Sequence, residues 1–348
     1  MATKVEYYNY LQRTLKEKVD FLSQPQHYPQ TSRDVIVVET HMAWIFLTEK
    51  FAYKLKKPIF YPHQDFSTID ARYRDHKLEL TLNRRFASDI YLNLVPLTVN
   101  ADNQFLIGSS QAPCDWLLKM HRLPNQVCME ELARLGAVKY GHGTIIGQFL
   151  GEFYRMAAPI QIDVFEYKNR FLRNIDENLT VLADLGQSTQ QRAMQKLCRE
   201  QKAFIESRSN LFAECLYQRR VIEGHGDLRP EHIFFNAGLR IIDCLEFFRD
   251  LRLLDYFDDI AFLALECDRL GLSEIGNQVI EVVADICTQT PPWTMIQFYK
   301  SYRAAIRAKL AILHLRDHFN GDEKKWVAIT DEYLSLAQAN IDLALKKQ

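Results

Sequence analysis

The sequence has no surplus of charge, no long apolar run and no paired cysteines. Lys and Arg number 43 against 44 Asp and Glu, a formal net charge of −1. That balance gives no electrostatic footing for non-specific binding to polyanions, so no nucleic-acid partner is expected. The 7 cysteines stand singly, without a C-x-x-C pair or a zinc-like cluster, and read as reduced thiols that fill core. No apolar stretch approaches the roughly 18 residues of a membrane helix. The opening MATKVEYYNYLQRTLKEKVD lacks the apolar centre of a signal peptide. A soluble, cytoplasmic protein with no membrane partner is the expectation; the sequence sets no oligomeric state. Two nucleotide-binding signatures are missing as well. No Gly-Lys-Ser/Thr closes a phosphate loop, and the glycines of GHGTIIGQFLGEF are misspaced for a dinucleotide loop. Gly143, Gly147 and Gly151 instead recur every four residues, a spacing that suits close helix packing.

What is present is enough for two lobes: 348 residues, 47% hydrophobic and 25% charged. Tyr7, Leu11, Leu15 and Val19 mark a helix over Tyr7 to Phe21. Val35 to Val38, Ala43 to Thr48 and Phe51 to Lys56 read as strands. Asp65 to Asp89 reads as a helix with a Leu78, Leu82, Phe86 stripe and an Asp-Phe-Ser-Thr start that supplies a cap. Tyr91 to Val99, Gln104 to Gly108 and Asp115 to Met120 read as further strands. Met129 to Arg219 is helical in pattern, and so is the chain from Asp255 on. The result is an α+β, two-lobe plan. Residues 1–33 form an N-terminal helix and linker, 34–123 an antiparallel-sheet lobe with one long helix, and 124–348 a mainly helical lobe carrying a loop at 225–246.

That loop lies in VIEGHGDLRPEHIFFNAGLRIIDCLE, Val221 to Glu246, an island of short strands in the helical half. Asp227 follows His-Gly in a turn, and Asp243 ends the strand Gly238 to Ile242. A hairpin between them would return both carboxylates to one edge. Phosphoryl transfer from a nucleotide asks for such a pair: one carboxylate at the acceptor hydroxyl, one holding Mg²⁺, plus a lysine on the phosphates. Taken singly, each aspartate is an ordinary turn residue.

The longer pattern narrows this. HGDLRPEHI resembles the H-G-D-L-x-x-x-N-I loop of the aminoglycoside phosphotransferase family, which shares the protein-kinase fold. IIDCLEF is similar to its metal-binding I-D-x-x-E/D segment, and LLDYFDDIAFLALECDRLG to the helix that follows. ETHMAWIFLTEKFAYKLKKP, ELTLNRRFASDIYL and YRAAIRAKLA resemble a bacterial branch of that family without an assigned substrate. The likeness runs from about Val35 to Leu313. It implies a two-lobe protein-kinase-like fold, with ATP and Mg²⁺ as cofactors and a small-molecule hydroxyl as acceptor. It implies that Asp227 orients or deprotonates the acceptor, that His225 braces the loop, that Arg229 belongs to the catalytic loop, and that Asp243 binds metal. Ala52-Tyr53-Lys54 resembles the A-x-K of a kinase strand, so Lys54 would touch phosphate with Glu79 as its partner. Lys56 shares the Lys54 face by alternation and is not separated from it by spacing. Asp115 to Arg122 would be the hinge strand whose backbone meets adenine, with Lys119 and Met120 in it.

Two departures from the family pattern stand out. The metal-ligating Asn is His232, although Mg²⁺ prefers hard oxygen ligands; Glu246 or water would then complete the metal site, or metal binding is weakened. No glycine loop covers the phosphates either, and Thr40, backbone N–H groups or a protonated His41 would stand in for it. A zinc site of His225, Asp227 and His232 is disfavoured, since it lacks a fuller ligand set. Glu246, Glu266 and Asp268 would suit a cationic acceptor. Arg229, Arg303, Arg307 and Lys309 would suit an anionic one. Internal ion pairs are the plain alternative for both sets, and Asp255 and Asp259 would tie down the loop. The expected function is ATP-dependent transfer to a small-molecule hydroxyl. The alternative is a nucleotide-binding regulatory pseudokinase acting through a protein partner.

Overall fold

The structure is a computed structural model that describes residues 14–30, 32–61, 64–183, 188–316 and 323–346. It divides into two compact units, Met1–Val127 with Ile233–Phe247, and Cys128–His232 with Phe248–Gln348.

The first unit opens with helix α1 over 14–22; the earlier part of the expected Tyr7–Phe21 helix lies outside the described residues. Strands β1 (Ile36–Glu39), β2 (Ala43–Leu47) and β3 (Phe51–Lys56) follow, then a ribbon of β4 (Phe60–Tyr61) and β5 (Gln64–Asp65). Helix α2 (Ile69–Asn83) precedes β6 (Tyr91–Val99), β7 (Phe105–Ile107) and β8 (Pro113–His121). Six strands form one antiparallel sheet in the order β1-β2-β3-β8-β6-β7. Alternation along β3 sets the layout. Tyr53 and Leu55 enter a core with Leu15, Leu22, Tyr28, Phe46, Leu97 and Leu117. Lys54 and Lys56 take the opposite face and meet α2.

The α2 helix starts where the cap was expected: the Thr68 side chain accepts from the Ala71 N–H at 3.1 Å. It is shorter than the expected Asp65–Asp89, because Asp65 belongs to β5 and the helix ends at Asn83. Its inner face also differs from the expected Leu78, Leu82, Phe86 stripe. Leu78 is 39% exposed, and Phe86 is buried beyond the helix end. The buried face is Arg72, His76, Glu79, Leu82 and Asn83, spaced three and four apart. The charges facing it from the sheet and from α1 make a polar face the stable one. Asp115 on β8 accepts both Arg72 Nε and Nη2 at 2.9 Å, and Lys18 Nζ at 2.8 Å.

The second unit is mainly helical: α3 (Met129–Arg134), α4 (Tyr140–Met156), α5 (Val164–Ala183), α6 (Thr189–Ser207) and α7 (Ser209–Tyr217), then β9 (Val221–Glu223). The chain returns to the first unit for the hairpin β10 (Ile233–Phe235) and β11 (Leu239–Ile241). Where the sequence placed 225–246 wholly with the helical lobe, 233–247 groups with the first unit. Arg240 Nε on Asp89 at 2.7 Å and the Cys244 N–H on Asn83 Oδ1 at 2.8 Å are two of the ties. The second unit resumes with α8 (Arg249–Arg252), β12 (Leu253–Asp255) paired to β9, α9 (Tyr256–Arg269), α10 (Ser273–Cys287), α11 (Trp293–Arg316) and α12 (Glu323–Leu345). Every residue of α9 from Tyr256 to Cys267 is buried. No helix among the described residues is long and apolar enough to cross a membrane.

The repeated glycines of α4 pack against α10. A Cβ on Gly147 would lie 2.7 Å from Val282 Cβ, and one on Gly151 2.8 Å from Ile286 Cδ1. Replacing Gly147 with Leu is therefore expected to cost about 1–3 kcal/mol through overpacking. Denaturant unfolding of G147L against the solvent-facing G141L, where no atom lies within 4 Å of the added Cβ, measures that difference.

Candidate functional site

The candidate side chains fall into two groups, one on each unit. In the first unit, Lys54 Nζ donates to Glu79 Oε1 at 2.6 Å and lies 3.8 Å from Asp243 Oδ1. Lys56 Nζ lies 3.1 Å from Glu79 Oε2, donates to Glu246 Oε1 at 2.6 Å, and also pairs with Asp75. The two lysines thus part company. Lys56, 1% exposed, is enclosed by three acids, while Lys54 has one acid behind it and the half-exposed Asp243 before it. One oxygen each from Asp75, Glu79 and Glu246 lies within 4.8 Å of the others, a spacing that would suit a metal. The Lys56 ammonium is the cation there, and this revises the metal-ligand expectation for Glu246.

Charge counting explains the titration of this cluster. Two buried acids, Glu79 and Glu246, and the half-buried Asp75 face two ammonium groups, so ionising both buried carboxyls is unfavourable. Burial would raise Glu79, but Lys54 and Lys56 overcome it and hold Glu79 well below the usual range. Burial dominates for Glu246 and pushes it to about 7, with Lys56 opposing and Glu79 adding to the rise. Burial alone would lower both lysines; Glu79 and Glu246 together reverse it and hold them firmly protonated.

Asp243 follows β11 with φ +61, a left-handed conformation that few side chains adopt. Its N–H donates to Tyr91 Oη at 3.1 Å, which sets the turn, and its side chain is 50% exposed. Thr40 is committed elsewhere: its hydroxyl donates to the Ala43 carbonyl at 2.9 Å and accepts the Ala43 N–H at 3.0 Å, closing the β1–β2 turn. Lys119 and Met120 lie inside β8, which is flanked by β3 and β6, so their backbone groups belong to the ladder. The Lys119 ammonium sits 4.0 Å from the centre of the Phe51 ring. The chain leaves the sheet only after Arg122, whose N–H donates to Lys50 O at 2.9 Å.

In the second unit, the loop around Asp227 is tied by its backbone. Asp259 on α9 accepts the His225 and Gly226 N–H groups at 2.7 and 2.9 Å, and Arg303 Nη1 donates to the Gly226 carbonyl at 3.0 Å. Buried His225 accepts the Asp227 N–H on Nδ1 at 3.3 Å. His232 also braces the loop: its Nδ1 donates to the Asp227 carbonyl at 2.8 Å and its Nε2 faces Arg229 Nη2 at 3.4 Å. Both ring nitrogens have partners in this unit, and a ring nitrogen lies within 4.8 Å of an Asp227 carboxylate oxygen, a spacing that leaves His232 a candidate ligand. Arg229 is clamped between Asp227 Oδ2 at 2.9 Å and Glu231 Oε1 at 2.5 Å. Burial would raise the Asp227 carboxyl; Arg229, His232 and Arg307 prevail and hold it well below the ordinary range.

The remaining charged candidates are largely internal pairs. Asp258 binds Arg303 through two nitrogens at 2.7 and 2.8 Å, Lys300 donates to Asp268 at 2.7 Å, and Lys309 lies 3.3 Å from Glu177. Glu266 takes Tyr333 at 2.7 Å and Arg269 at 2.9 Å, while Asp255 holds Arg220 at 3.0 Å. Sequence reasoning missed Asp75, Tyr91, Asn83 and Asp258, all of which position other groups. The only sequence signal for Asp75 was its place four residues before Glu79 on one helix face.

No family model matches the sequence. Uncharacterized proteins of Mycobacterium tuberculosis and Mycobacterium bovis are each 30% identical over 289 residues, covering 81% of this chain and 56% of the relative. The chain thus spans about half the length of the curated relatives it matches. Among solved structures, a choline/ethanolamine kinase family protein from Mesorhizobium loti superposes with a TM-score of 0.54 at 12% identity, covering 94% of this chain and 95% of that one. APH(2")-IIia in complex with GDP and kanamycin gives 0.53 at 14%, covering 93% and 99%. A choline kinase from Cryptosporidium parvum Iowa II gives 0.50 at 11%, covering 96% and 98%. At these identities the likeness is one of fold. The chain has the protein-kinase-like fold shared by aminoglycoside phosphotransferases and choline/ethanolamine kinases, as the motifs implied.

The acid cluster gives a pH test with a definite sign. Glu246 holds its proton in the folded state up to about pH 7 and releases it near 4.5 when unfolded. Stability from this group is therefore greatest below pH 4.5 and declines as pH rises toward 7, by on the order of 2–3 kcal/mol. The slope of unfolding free energy between pH 5 and 7 is expected to flatten in Glu246→Gln. Glu79, shifted the other way, acts below that window.

Proposed function

We propose that the chain transfers the γ-phosphoryl group of ATP to a hydroxyl of a small molecule. One observation carries this reading: Lys54, braced by Glu79, presents its ammonium 3.8 Å from a half-exposed aspartate held in a left-handed turn. That pair suits phosphate oxygens and their counter-ion. In this reading Lys54 meets the α- and β-phosphates, and Glu79 keeps it in place. Asp243 is the protein carboxylate for Mg²⁺. It fits the role as a hard oxygen donor in an accessible turn, and Mg²⁺ commonly takes one or two carboxylates with phosphate and water completing its shell. Bound Mg²⁺ would offset charge on the phosphates during transfer.

Asp227 orients the acceptor hydroxyl. With its carboxyl held low by Arg229 against burial, it is a weak base. A loose phosphoryl-transfer transition state tolerates this, since the hydroxyl proton leaves late. A second reading, a regulatory pseudokinase acting through a protein partner, draws on His232 standing where the resembled motif has Asn and on the missing glycine loop.

Nucleotide titrations with ATP and GTP, in Mg²⁺ and in EDTA, combined with phosphate-transfer assays, separate the two. Asp227→Asn is expected to lower transfer by about 10²–10⁴-fold while nucleotide affinity holds. Asp243→Asn, a residue that tolerates the left-handed turn, is expected to remove the Mg²⁺ dependence of binding. Metal-independent binding by the wild type, with no transfer to choline, ethanolamine, kanamycin or sugars, would favour the regulatory reading instead.

A further inference from the structure

Helix α11 is fixed beside the Asp227 loop by Arg303, which spans Asp258 and the Gly226 carbonyl. Arg307 stands one turn further along the same helix face. Neighbouring cations of this unit are consumed by acids: Arg229 by Asp227 and Glu231, Arg269 by Glu266, Lys300 by Asp268, Lys309 by Glu177. Arg307 has no carboxylate within ion-pair distance among the described residues. Its Nε is buried without a hydrogen-bond partner. Its guanidinium lies 5.5 Å from the centre of the Tyr333 ring and within hydrogen-bond reach of that tyrosine's oxygen, and the tyrosine donates its hydroxyl to Glu266 at 2.7 Å. Asp227 feels the Arg307 charge, which joins those of Arg229 and His232 in opposing burial.

A buried guanidinium N–H without an acceptor is unfavourable, and its planar fork matches one ligand class closely: an oxyanion taken by parallel N–H bonds. Arg303 and Arg229 have spent their forks on protein carboxylates; Arg307 has not. We propose that Arg307 receives an anionic group, phosphate or carboxylate, on the acceptor, and so selects an anionic alcohol over an amino sugar or choline. This rests on the reading that Asp227 receives the acceptor hydroxyl.

The test is a charge series on one sugar: glucose 6-phosphate, glucuronate, glucose and glucosamine. Binding is measured by calorimetry with the wild type, Arg307→Ala and Arg307→Lys, and transfer from labelled ATP is then scored on the same four. At least one anionic sugar is expected to bind more tightly than glucose and glucosamine. Arg307→Ala is expected to weaken it about 10- to 100-fold, with partial recovery in Arg307→Lys and unchanged ATP affinity. Which anion binds more tightly tells phosphate from carboxylate. Tighter binding of glucosamine, binding by neither anion, or anion binding indifferent to Arg307→Ala would overturn the proposal. So would a variant that loses ATP affinity, or one that slows transfer to every sugar alike with acceptor KM unchanged, since Arg307 would then serve the nucleotide. Anion binding that needs Arg307, without transfer, would support the site and sink the phosphotransferase reading.

Discussion

Two ammonium groups on one face of β3 must be compensated away from water, and the polar interior of the first unit is built around that demand. An isolated buried charge is far too costly to keep, and a pair survives only with good geometry and further hydrogen bonds. Glu79 answers by facing both lysines, one oxygen to each. Asp75 adds a second acid to Lys56, and Glu246 a third. Glu246 comes from a segment far along the chain, so its bond to Lys56 also fixes where Asp243 stands, three residues earlier. A lysine enclosed by three acids thereby helps to hold the turn that carries Asp243.

The second unit solves a similar problem with different means. Its loop is held by carboxylates that bind backbone N–H groups and arginines. Asp259 caps two successive amides, and Asp258 anchors the arginine that in turn holds the Gly226 carbonyl. These acids sit on a helix buried along most of its length, where each must be matched. Asp227 is left with Arg229 as its closest partner, strong enough to keep it ionised and rigid.

Much of the fold was legible in the sequence. β3 and β6 fall on their expected residues because alternation and β-branched or aromatic side chains marked them, and the glycines of α4 pack as their spacing suggested. The inward face of α2 was not legible. Its period is helical but its residues are Arg72, His76 and Glu79, which a search for apolar stripes passes over. In the candidate site, motif spacing located the loops but not the partners. His232 and Glu246 occupy positions where a ligand was expected, yet each is bonded within its own unit. Thr40, Lys119 and Met120 were drawn from strand ends and turns whose hydrogen bonds only the assembled sheet reveals. Lys54 and Lys56 could be told apart only through the acids that reach them.

The backbone at Asp243 has a consequence of its own. At φ +61 the position admits glycine, asparagine and aspartate with little strain, and penalises bulkier or β-branched residues. Of the three, only aspartate is charged. The turn therefore acts as a filter on mutation. Changes it accepts without damage to the fold are the ones that erase the carboxylate, so the charge at this turn can be lost in evolution while the fold is kept.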